Sequence, residues 1–226
     1  MSKPPAPRLT PTRRDAVETR ACLLQAAAVT FAEYGYKDAS LRQICTKADV
    51  NLGSVKYYFG SKQALYRELL LGAHKEMLAK DTMPTLETAD SAEQALSQWI
   101  AWFLGMIISR GQYPTLGKIM AREITQPTPT LDDLIREVML EVRQELERII
   151  SALTGPECSA TTRNHLTSMT IMLCTMHDIA QPILEKFGYR PPKDKSDLKD
   201  LAKIVSSYAL AGIRNAAASN YLADAK

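Results

Sequence analysis

Histidines and catalytic motifs are scarce in this sequence. The three histidines, His74, His165 and His177, lie far apart and show no metal-ligand spacing. The H-E-x-x-H and G-x-S-x-G motifs, a glycine-rich phosphate loop and a C-x-x-C pair are all missing. We therefore expect neither an enzyme nor a protein that carries a metal or a cofactor.

Long apolar runs are missing as well. No run approaches the roughly 18 residues that a membrane-spanning helix needs, and the N-terminal stretch MSKPPAPRLTPTRR lacks the apolar core of a signal peptide. The four cysteines, Cys22, Cys45, Cys158 and Cys174, follow no disulfide or metal spacing. These absences predict a cytoplasmic protein that makes no membrane contact and keeps buried, reduced thiols.

Acidic residues are few near the N-terminus. Residues 1–62 hold ten Lys or Arg against five Asp or Glu, a net charge of +5, whereas the other 164 residues carry a net charge of −2. This asymmetry predicts a head that binds a polyanion and a nearly neutral body. We expect residues 1–15 to be a disordered basic arm. Arg13 and Arg14 either enter a DNA minor groove or add only general attraction.

Alternating β-strand patterns are not found, and almost every long segment has helical spacing. The chain is therefore predicted to be all-α, with Ser40, Asn51 and Ser61 beginning helices and Gly35 and Gly60 ending them. About nine helices are expected, at residues 16–34, 41–48, 52–58, 62–80, 91–110, 114–125, 130–153, 161–187 (interrupted at Pro182) and 196–218.

Residues 41–59 read as two short helices joined by a tight turn at Asp49-Val50, the pattern of a helix-turn-helix. In this motif the second helix lies in the DNA major groove. Val55 and Phe59, four residues apart, are expected to face the protein interior, which leaves the polar residues of the second helix outside. Gly53 has no side chain, so the backbone there is expected to approach the duplex closely.

We expect nine residues to contact DNA: Ser40, Arg42, Asn51, Gly53, Ser54, Lys56, Tyr57, Tyr58 and Lys62. Asn51, Ser54 and Lys56 are the expected base contacts, because Lys donates to guanine and Asn pairs with adenine. Ser40 either only caps its helix or also donates to a phosphate, and Arg42 either contacts DNA or is merely solvated.

The expected phosphate contacts lie at the edge of this surface. Tyr57 and Tyr58 offer hydroxyls there, although Tyr58 could equally be half-buried against the first helix. Ser61 and Lys62 begin the next helix, whose free N–H groups and positive dipole end favour a phosphate.

The stretch SLRQICTKADVNLGSVKYYFGSKQALY, residues 40–66, resembles the DNA-binding segment of the TetR family of transcriptional regulators. The resemblance covers about residues 16–66, and the ending F-G-S-K-x-x-L-Y is specific to it. It implies an all-helical homodimer with two N-terminal DNA-binding heads and C-terminal ligand-sensing bodies, and it matches Tyr57 and Lys62 to phosphate contacts. Asp49 replaces the glycine usual in the turn, and Lys56 replaces a frequent tyrosine. We expect the turn to survive, since Asp tolerates a left-handed backbone.

The body resembles the C-terminal domain of the CecR (YbiH) subgroup in the segments IMAREITQPTPT and HDIAQPILEKFGYR. Residues 16–62 are thus expected to form the DNA-binding domain and residues 63–226 a ligand-binding and dimerisation domain. Methionine and aromatic side chains line adaptable pockets but also fill ordinary cores. With polar anchors included, the expected ligand contacts are Trp99, Phe103, Met106, Met120, Arg122, Glu123, Met139, Met172, Met176 and His177. Arg122-Glu123 and His177-Asp178 could instead be structural pairs.

The last two long helices are the expected dimer interface, because small residues on the final helix permit close packing: Ser206, Ala209, Ala211, Gly212 and Ala216. A two-fold dimer implies a palindromic double-stranded operator. We therefore expect a repressor that a small, mainly apolar effector releases from DNA. The alternatives are an activator or dual regulator of the same fold, or a DNA-architectural protein with no effector.

Overall fold

The structure, a computed structural model, describes residues 13–108 and 114–219, and within these ranges it contains helices and turns but no strand. The expected all-α fold is confirmed. The helices are α1 (Arg13–Asp38), α2 (Leu41–Lys47), α3 (Leu52–Phe59), α4 (Lys62–Leu78), α5 (Ala92–Ile108), α6 (Pro114–Thr125), α7 (Pro129–Leu134), α8 (Leu140–Thr154), α9 (Ala160–Ile179), α10 (Gln181–Leu184) and α11 (Lys195–Ser219).

Two of the predicted helices are divided in the structure. A π-helical turn at Ile135–Met139 separates α7 from α8, where one helix was expected. The predicted helix 161–187 ends at Ile179 and continues as α10 and a 3₁₀ turn at Glu185–Phe187.

At the other end of the chain, α1 begins at Arg13, inside the segment expected to be a disordered arm. Residues 1–12 of that arm lie outside the described residues.

The chain divides into two compact units between Leu70 and Leu71. This division falls eight residues beyond the 62/63 boundary expected from the sequence. The reason lies in α4, whose first half belongs to the N-terminal unit: Leu65 and Leu70 are fully buried, and Tyr66 is 2% exposed. The ring centroids of Tyr66 and Phe31 are 4.7 Å apart in an edge-to-face arrangement.

In the N-terminal unit, Gly35 interrupts α1 where the sequence predicted a stop. Its φ of 78° and ψ of 171° are not helical, and its carbonyl accepts a hydrogen bond from Ala39 N at 3.2 Å. The bend places Tyr36 beside Tyr66, with ring centroids 4.8 Å apart. This core positions α2 and α3, which bury Ile44 and Val55 completely.

In the C-terminal unit, α5 is the central helix and packs against α8, α9 and α11. Its apolar residues recur every three or four positions, so that one face is buried. The core combines Leu96, Trp99, Ile100, Leu104 and Ile107 of α5 with Leu146, Ile149 and Ile150 of α8, Cys174 of α9, and Ala202, Val205, Ala209 and Ile213 of α11. Burying each large apolar side chain contributes about 1.5–3 kcal/mol.

A buried carboxylate fixes the segment that follows α4. Glu145 of α8 is only 2% exposed. It accepts a hydrogen bond from Leu86 N at 2.7 Å and pairs with Arg148 Nη2 at 2.8 Å. Because burying an unpaired carboxylate is costly, these two partners allow Glu145 to occupy the core. The 3₁₀ turn at Leu86–Thr88 is thereby attached to α8.

The cysteine prediction is right for three residues and wrong for the fourth. Cys45, Cys158 and Cys174 are buried as free thiols, and burial raises the pKa of Cys174 to about 12. Cys22 is exposed instead, because the adjacent Leu23 takes the buried position of that turn of α1. In the described parts of the chain, no helix has both the length and the apolar character needed to cross a membrane.

Candidate nucleic-acid interface and effector site

The start of α2 is closed by the capping box that the sequence predicted. Gln43 N donates to Ser40 Oγ at 3.2 Å, and Ser40 N donates to Gln43 Oε1 at 2.7 Å. Ser40 Oγ also donates to Gln43 Oε1 at 2.7 Å. The hydroxyl proton is thus already engaged, which favours the interpretation of Ser40 as a cap rather than as a phosphate donor. Arg42 is exposed on the first turn of α2.

The turn between α2 and α3 keeps its geometry without glycine. Asp49 has a φ of 53°, so an aspartate occupies the left-handed position, as expected. Ala48 N donates to Ile44 O at 2.9 Å, and Val50 N donates to Cys45 O at 3.0 Å. These two bonds close α2 and direct the chain into α3.

Helix α3 presents a polar face and buries an apolar one. Val55 is fully buried and Phe59 is 9% exposed, while Tyr57 is 82% exposed. Lys56 is exposed beside it. The two predicted inward residues are therefore confirmed, and Lys56 and Tyr57 lie on the exposed face of α3.

Tyr58 is half-buried, as one of the two expectations had it, but its ring contacts are with Tyr57 and Phe59 of α3, where the first helix was expected. Its ring packs edge-on against that of Tyr57, with centroids 4.9 Å apart and an interplanar angle of 86°. The neighbouring Phe59 is covered by the Arg20 guanidinium, which lies 5.2 Å from the ring centroid. Arg20 also forms an ion pair with Glu68, so this arginine serves the packing of the head.

Asn51 caps α3 with its side-chain oxygen. Ser54 N donates to Asn51 Oδ1 at 3.1 Å, and Ser54 Oγ lies 3.4 Å from the same atom. Reading adenine would require both the oxygen and the nitrogen of the amide. The cap occupies the oxygen. While the cap is in place, Asn51 therefore has only its Nδ2 group left to donate to another molecule. Ser54 is half-buried and turned toward this cap, which weakens the case for it as a base contact.

Gly53 has a structural role beside the expected one. A Cβ atom at this position would lie 3.1 Å from Asn51 Oδ1. A larger residue would therefore press on the atom that caps the helix. Glycine leaves room for the cap, and the close approach of DNA to this exposed backbone stays a prediction.

Sequence reasoning missed Leu52, the first residue of α3, which is 56% exposed. It lies one helical turn before Lys56 and two turns before Phe59, at the first turn of α3, where that face is still open to solvent. Its position four residues from Lys56 was the available signal. Leu52 is thus an exposed apolar residue beside Lys56 on α3.

Lys62 is anchored within the head. Its Nζ donates to Lys37 O at 3.1 Å and lies 4.8 Å from the centroid of the Tyr36 ring. Burial lowers the pKa of Lys62, and the nearby Asp38 carboxylate partly opposes this shift. Ser61 Oγ accepts from Ala64 N at 3.0 Å and caps α4 as predicted. Lys62 thus combines a structural contact with a position at the start of α4.

The ten residues expected to bind an effector do not form one group in the structure. Trp99 is fully buried and stacks on Phe103 of the same helix, with centroids 4.7 Å apart and planes 19° apart. Met106 and Met139 are half-buried, and Met120 is 8% exposed. Trp99 and Met120 are thus buried in the C-terminal unit, and Phe103 is half-buried against its core.

Three residues were expected to be polar contacts of the effector, and the structure gives their own surroundings. Glu123 is 1% exposed, and it accepts from Thr128 N at 3.0 Å and from Thr128 Oγ1 at 2.9 Å. It therefore caps the turn before α7, and Arg122 beside it is exposed. His177 Nδ1 lies 3.0 Å from Tyr189 Oη, so the hydrogen-bonding partner is Tyr189, where the sequence suggested Asp178. Burial lowers the pKa of His177.

Met172 and Met176 are 49% and 45% exposed, and Met169 beside them is 61% exposed. All three lie on one outer face of α9, and the expectation that Met172 and Met176 contact an effector stays a prediction. An open pocket of about 470 Å³ is found elsewhere, between the segment after α10 and the first turns of α11. It is lined by Tyr189, Arg190, Pro191, Pro192, Lys193, Asp197, Asp200, Leu201 and Ile204, none of which was expected to bind a ligand.

Comparison with known families agrees with this geometry. The profile described as bacterial regulatory proteins, tetR family, matches residues 23–69. A second profile, the C-terminal domain of the HTH-type transcriptional dual regulator CecR, matches residues 92–214. This chain belongs to the TetR family of transcriptional regulators and carries a CecR-type C-terminal domain. TetR membership identifies the α2–α3 pair as a DNA-binding helix-turn-helix.

Related regulators cover different shares of the chain. The dual regulator CecR of Shigella flexneri is 26% identical over 149 residues, which are 62% of this chain and 66% of CecR. The probable regulator YttP of Bacillus subtilis is 28% identical over 123 residues, 54% of this chain and 56% of YttP. The repressor NicS of Pseudomonas putida is 26% identical over 208 residues, 89% of this chain and 95% of NicS. The match thus spans less than two thirds of CecR and YttP.

Solved TetR-type structures share the fold. The regulator FadR of Bacillus subtilis, solved in complex with stearoyl-CoA, gives a TM-score of 0.59 at 17% identity over 85% of this chain and 98% of FadR. A HlyIIR mutant gives a TM-score of 0.58 at 22% identity, over 88% of this chain and 97% of HlyIIR. At these identities the likeness supports the TetR fold alone.

Proposed function

We propose that this TetR-family protein is a cytoplasmic, ligand-responsive repressor. In this proposal a homodimer binds a palindromic operator, and a small, mainly apolar effector releases it. The observation that carries the proposal is the exposed face of α3, where Lys56 and Tyr57 stand outward while Val55 and Phe59 anchor the helix to the head.

DNA contacts divide into two classes on this surface. Lys56 and the Nδ2 atom of Asn51 are donors at the exposed front of α3, suited to acceptors on base edges. Tyr57, Lys62 and the N-terminus of α4 lie beside them and suit phosphates. Phosphate contacts supply affinity that depends on salt, whereas base contacts supply the preference for one sequence.

The dimer is supported by an apolar outer face on α9 and α11. Met169, Met172 and Met176 of α9 are exposed, and Ile204 and Tyr208 of α11 are 67% and 70% exposed. Exposed apolar side chains at helical spacing on two neighbouring helices mark an interaction surface. A second copy that meets the same face through a two-fold axis would bury both stripes, and this symmetry would match a palindromic operator.

The small residues of α11 divide between two faces. Ala211 and Gly212 are exposed and lie beside the apolar stripe, where they allow close approach of a partner helix. Ser206 and Ala209, 8% and 5% exposed, face the chain's own core instead. Ser206 and Ala209 therefore do not belong to the small-residue interface that the sequence suggested.

The aromatic cluster of α5 supports an apolar effector. Its members are Trp99, Trp102 and Phe103, whose ring centroids all lie within 6.4 Å of one another. Large, rigid apolar side chains of this kind commonly line binding sites for apolar ligands. The structurally similar FadR was solved with stearoyl-CoA, which shows that this fold can hold a molecule with a long apolar chain.

A footprinting experiment on DNA upstream of the protein's own gene tests the proposal. We expect protection of a two-fold symmetric site at protein concentrations that leave random DNA unprotected. Equal binding to both DNAs would instead favour an architectural protein. Sedimentation of the free protein at micromolar concentration is expected to give a dimer, and a monomer would contradict the proposed symmetry.

A dual regulator is the second candidate, because the relative that defines the C-terminal profile is named a dual regulator. Transcription from the operator-containing promoter with purified polymerase separates the two functions. A repressor lowers transcription where the operator overlaps the promoter and raises it in no arrangement, whereas a dual regulator raises it in some.

A further inference from the structure

An apolar side chain stands exposed at the first residue of α3. Leu52 is 56% exposed. A single exposed leucine is ordinary on a protein surface and needs no explanation by itself. In a helix-turn-helix, however, the N-terminal residues of the second helix contact the edges of the bases. The place of Leu52 in the motif therefore gives its exposure a meaning.

The other residues of this first turn are already occupied. Asn51 Oδ1 accepts from Ser54 N at 3.1 Å and lies 3.4 Å from Ser54 Oγ. Val55 is fully buried. Gly53 has no side chain, and a Cβ atom there would lie 3.1 Å from Asn51 Oδ1. Apart from the Nδ2 group of Asn51, Leu52 is thus the side chain at the start of α3 that is available to another molecule.

Leu52 and Lys56 are neighbours on the surface of α3. Residues four positions apart in a helix are separated by about 40° around its axis and about 6 Å along it. Lys56 is exposed, and its ammonium group suits the acceptor atoms of a guanine. Stacked base pairs are about 3.4 Å apart. A base in contact with Leu52 would therefore lie about one or two steps from the base in contact with Lys56.

We propose that Leu52 reads a thymine of the operator through contact with the C5-methyl group of that base, about one or two base pairs from the base that Lys56 contacts. The methyl group is the apolar feature that distinguishes thymine on the major-groove edges of the bases. This inference rests on the proposed sequence-specific binding of an operator, and it adds a residue that determines the base preference.

The chemistry of leucine selects for thymine in two ways. Contact between Leu52 and the methyl group removes apolar surface of both groups from water, which is favourable. The side chain of leucine has no hydrogen-bonding atom. Placed against guanine, adenine or cytosine, it would cover polar atoms and offer them no partner, which costs free energy. Leu52 therefore favours thymine by attraction and disfavours the other bases by exclusion.

A first experiment identifies the operator and then removes single methyl groups from it. Preferred sequences are selected from random double-stranded DNA with the full-length protein. Each thymine of the selected site is then replaced by uracil, which differs from thymine only in the missing C5-methyl group. We expect one replacement in each half-site to weaken binding about fourfold in fluorescence anisotropy, the effect of one buried methyl-sized group.

A second experiment assigns the lost affinity to Leu52 by a double-mutant cycle. Because Leu52 is exposed, the full-length Leu52→Ala variant should melt within about 2 °C of wild type. It should bind the thymine operator about fourfold more weakly than wild type, and the replacement of thymine by uracil should change its affinity less than about twofold.

Lys56→Ala is the matched control on the same face of α3. This variant should keep the wild-type difference between thymine and uracil. It should instead lose the response to 7-deazaguanine, in which guanine lacks the N7 acceptor. The two variants thus test two neighbouring residues against two different chemical groups of the operator.

Three results would overturn the inference while leaving the proposed function in place: a selected operator without a thymine within about two base pairs of the Lys56 contact, equal binding of thymine and uracil at every such position, or a Leu52→Ala variant as sensitive to uracil as wild type. A selection that enriches no sequence would instead refute the proposed function, and the inference with it.

Discussion

Replacing Lys62 by alanine is expected to weaken both the head and its DNA binding. The ammonium group donates to Lys37 O at 3.1 Å and lies over the Tyr36 ring at 4.8 Å. A charged hydrogen bond that is partly exposed and a cation–π contact together contribute about 1–2 kcal/mol. The variant should therefore unfold at a lower temperature, by about 2–4 °C for each kcal/mol in a protein of this size.

The same substitution removes one phosphate contact in the proposed complex. Affinity for operator and random DNA should fall together, and the slope of log affinity against log salt should flatten by about one unit. Fluorescence anisotropy at salt concentrations between about 50 and 200 mM measures this slope.

Lys56→Ala is the matched control, because Lys56 is an exposed lysine of the same surface. Its side chain forms no hydrogen bond or ion pair with the described residues of the head. Its stability should stay within about 0.5 kcal/mol of wild type. Its preference for operator over random DNA should fall by about 1–3 kcal/mol at one or two base positions. If Lys62→Ala melted like wild type, the structural anchor would be refuted; if both variants lost operator and random binding equally, the division into phosphate and base contacts would be wrong.

Three further predictions concern the turn, a half-buried histidine and the proposed dimer face. Because Asp49 has a φ of 53°, Asp49→Ala should be less stable than Asp49→Gly by about 1 kcal/mol in denaturant unfolding; equal stability would argue against the left-handed turn. Burial lowers the pKa of His177, so the unfolded chain binds a proton more readily than the folded one. The free energy of unfolding should therefore decrease as the pH falls below about 6.5, and His177→Gln should lack this part of the decrease in urea titrations at several pH values. Met172→Asp should dissociate the proposed dimer in sedimentation, whereas Ile124→Asp, at a similarly exposed apolar residue of α6, should not; a dimer that survives Met172→Asp would exclude this face.

Features of the head that depend on neighbouring residues were predictable from the sequence. The Ser40–Gln43 capping box, the Asn51 cap and the left-handed Asp49 each follow from the preferences of one short segment. The burial of Val55 and Phe59 follows from helical spacing. Local rules predict these features well because they involve backbone groups only three or four residues away.

Contacts between distant segments were not predictable in the same way. Lys62 bonds to Lys37, and His177 bonds to Tyr189 across a change of helix. The apolar patterns of Cys22 and Met172 are typical of buried residues, yet tertiary packing leaves both exposed. Spacing indicates which residues share a face, but it does not tell whether that face meets the chain's own core or an outer surface.

The attachment of Leu86 to Glu145 limits how the C-terminal unit can deform. The segment leaving α4 is tied to α8 by a bond to a carboxylate that has almost no access to solvent. If α8 slid past this segment, the Glu145 carboxylate would lose the hydrogen bond from Leu86 N, and water could not replace that donor in the buried site. A rearrangement of α8 that keeps the core dry therefore carries the 3₁₀ turn at Leu86–Thr88 with it.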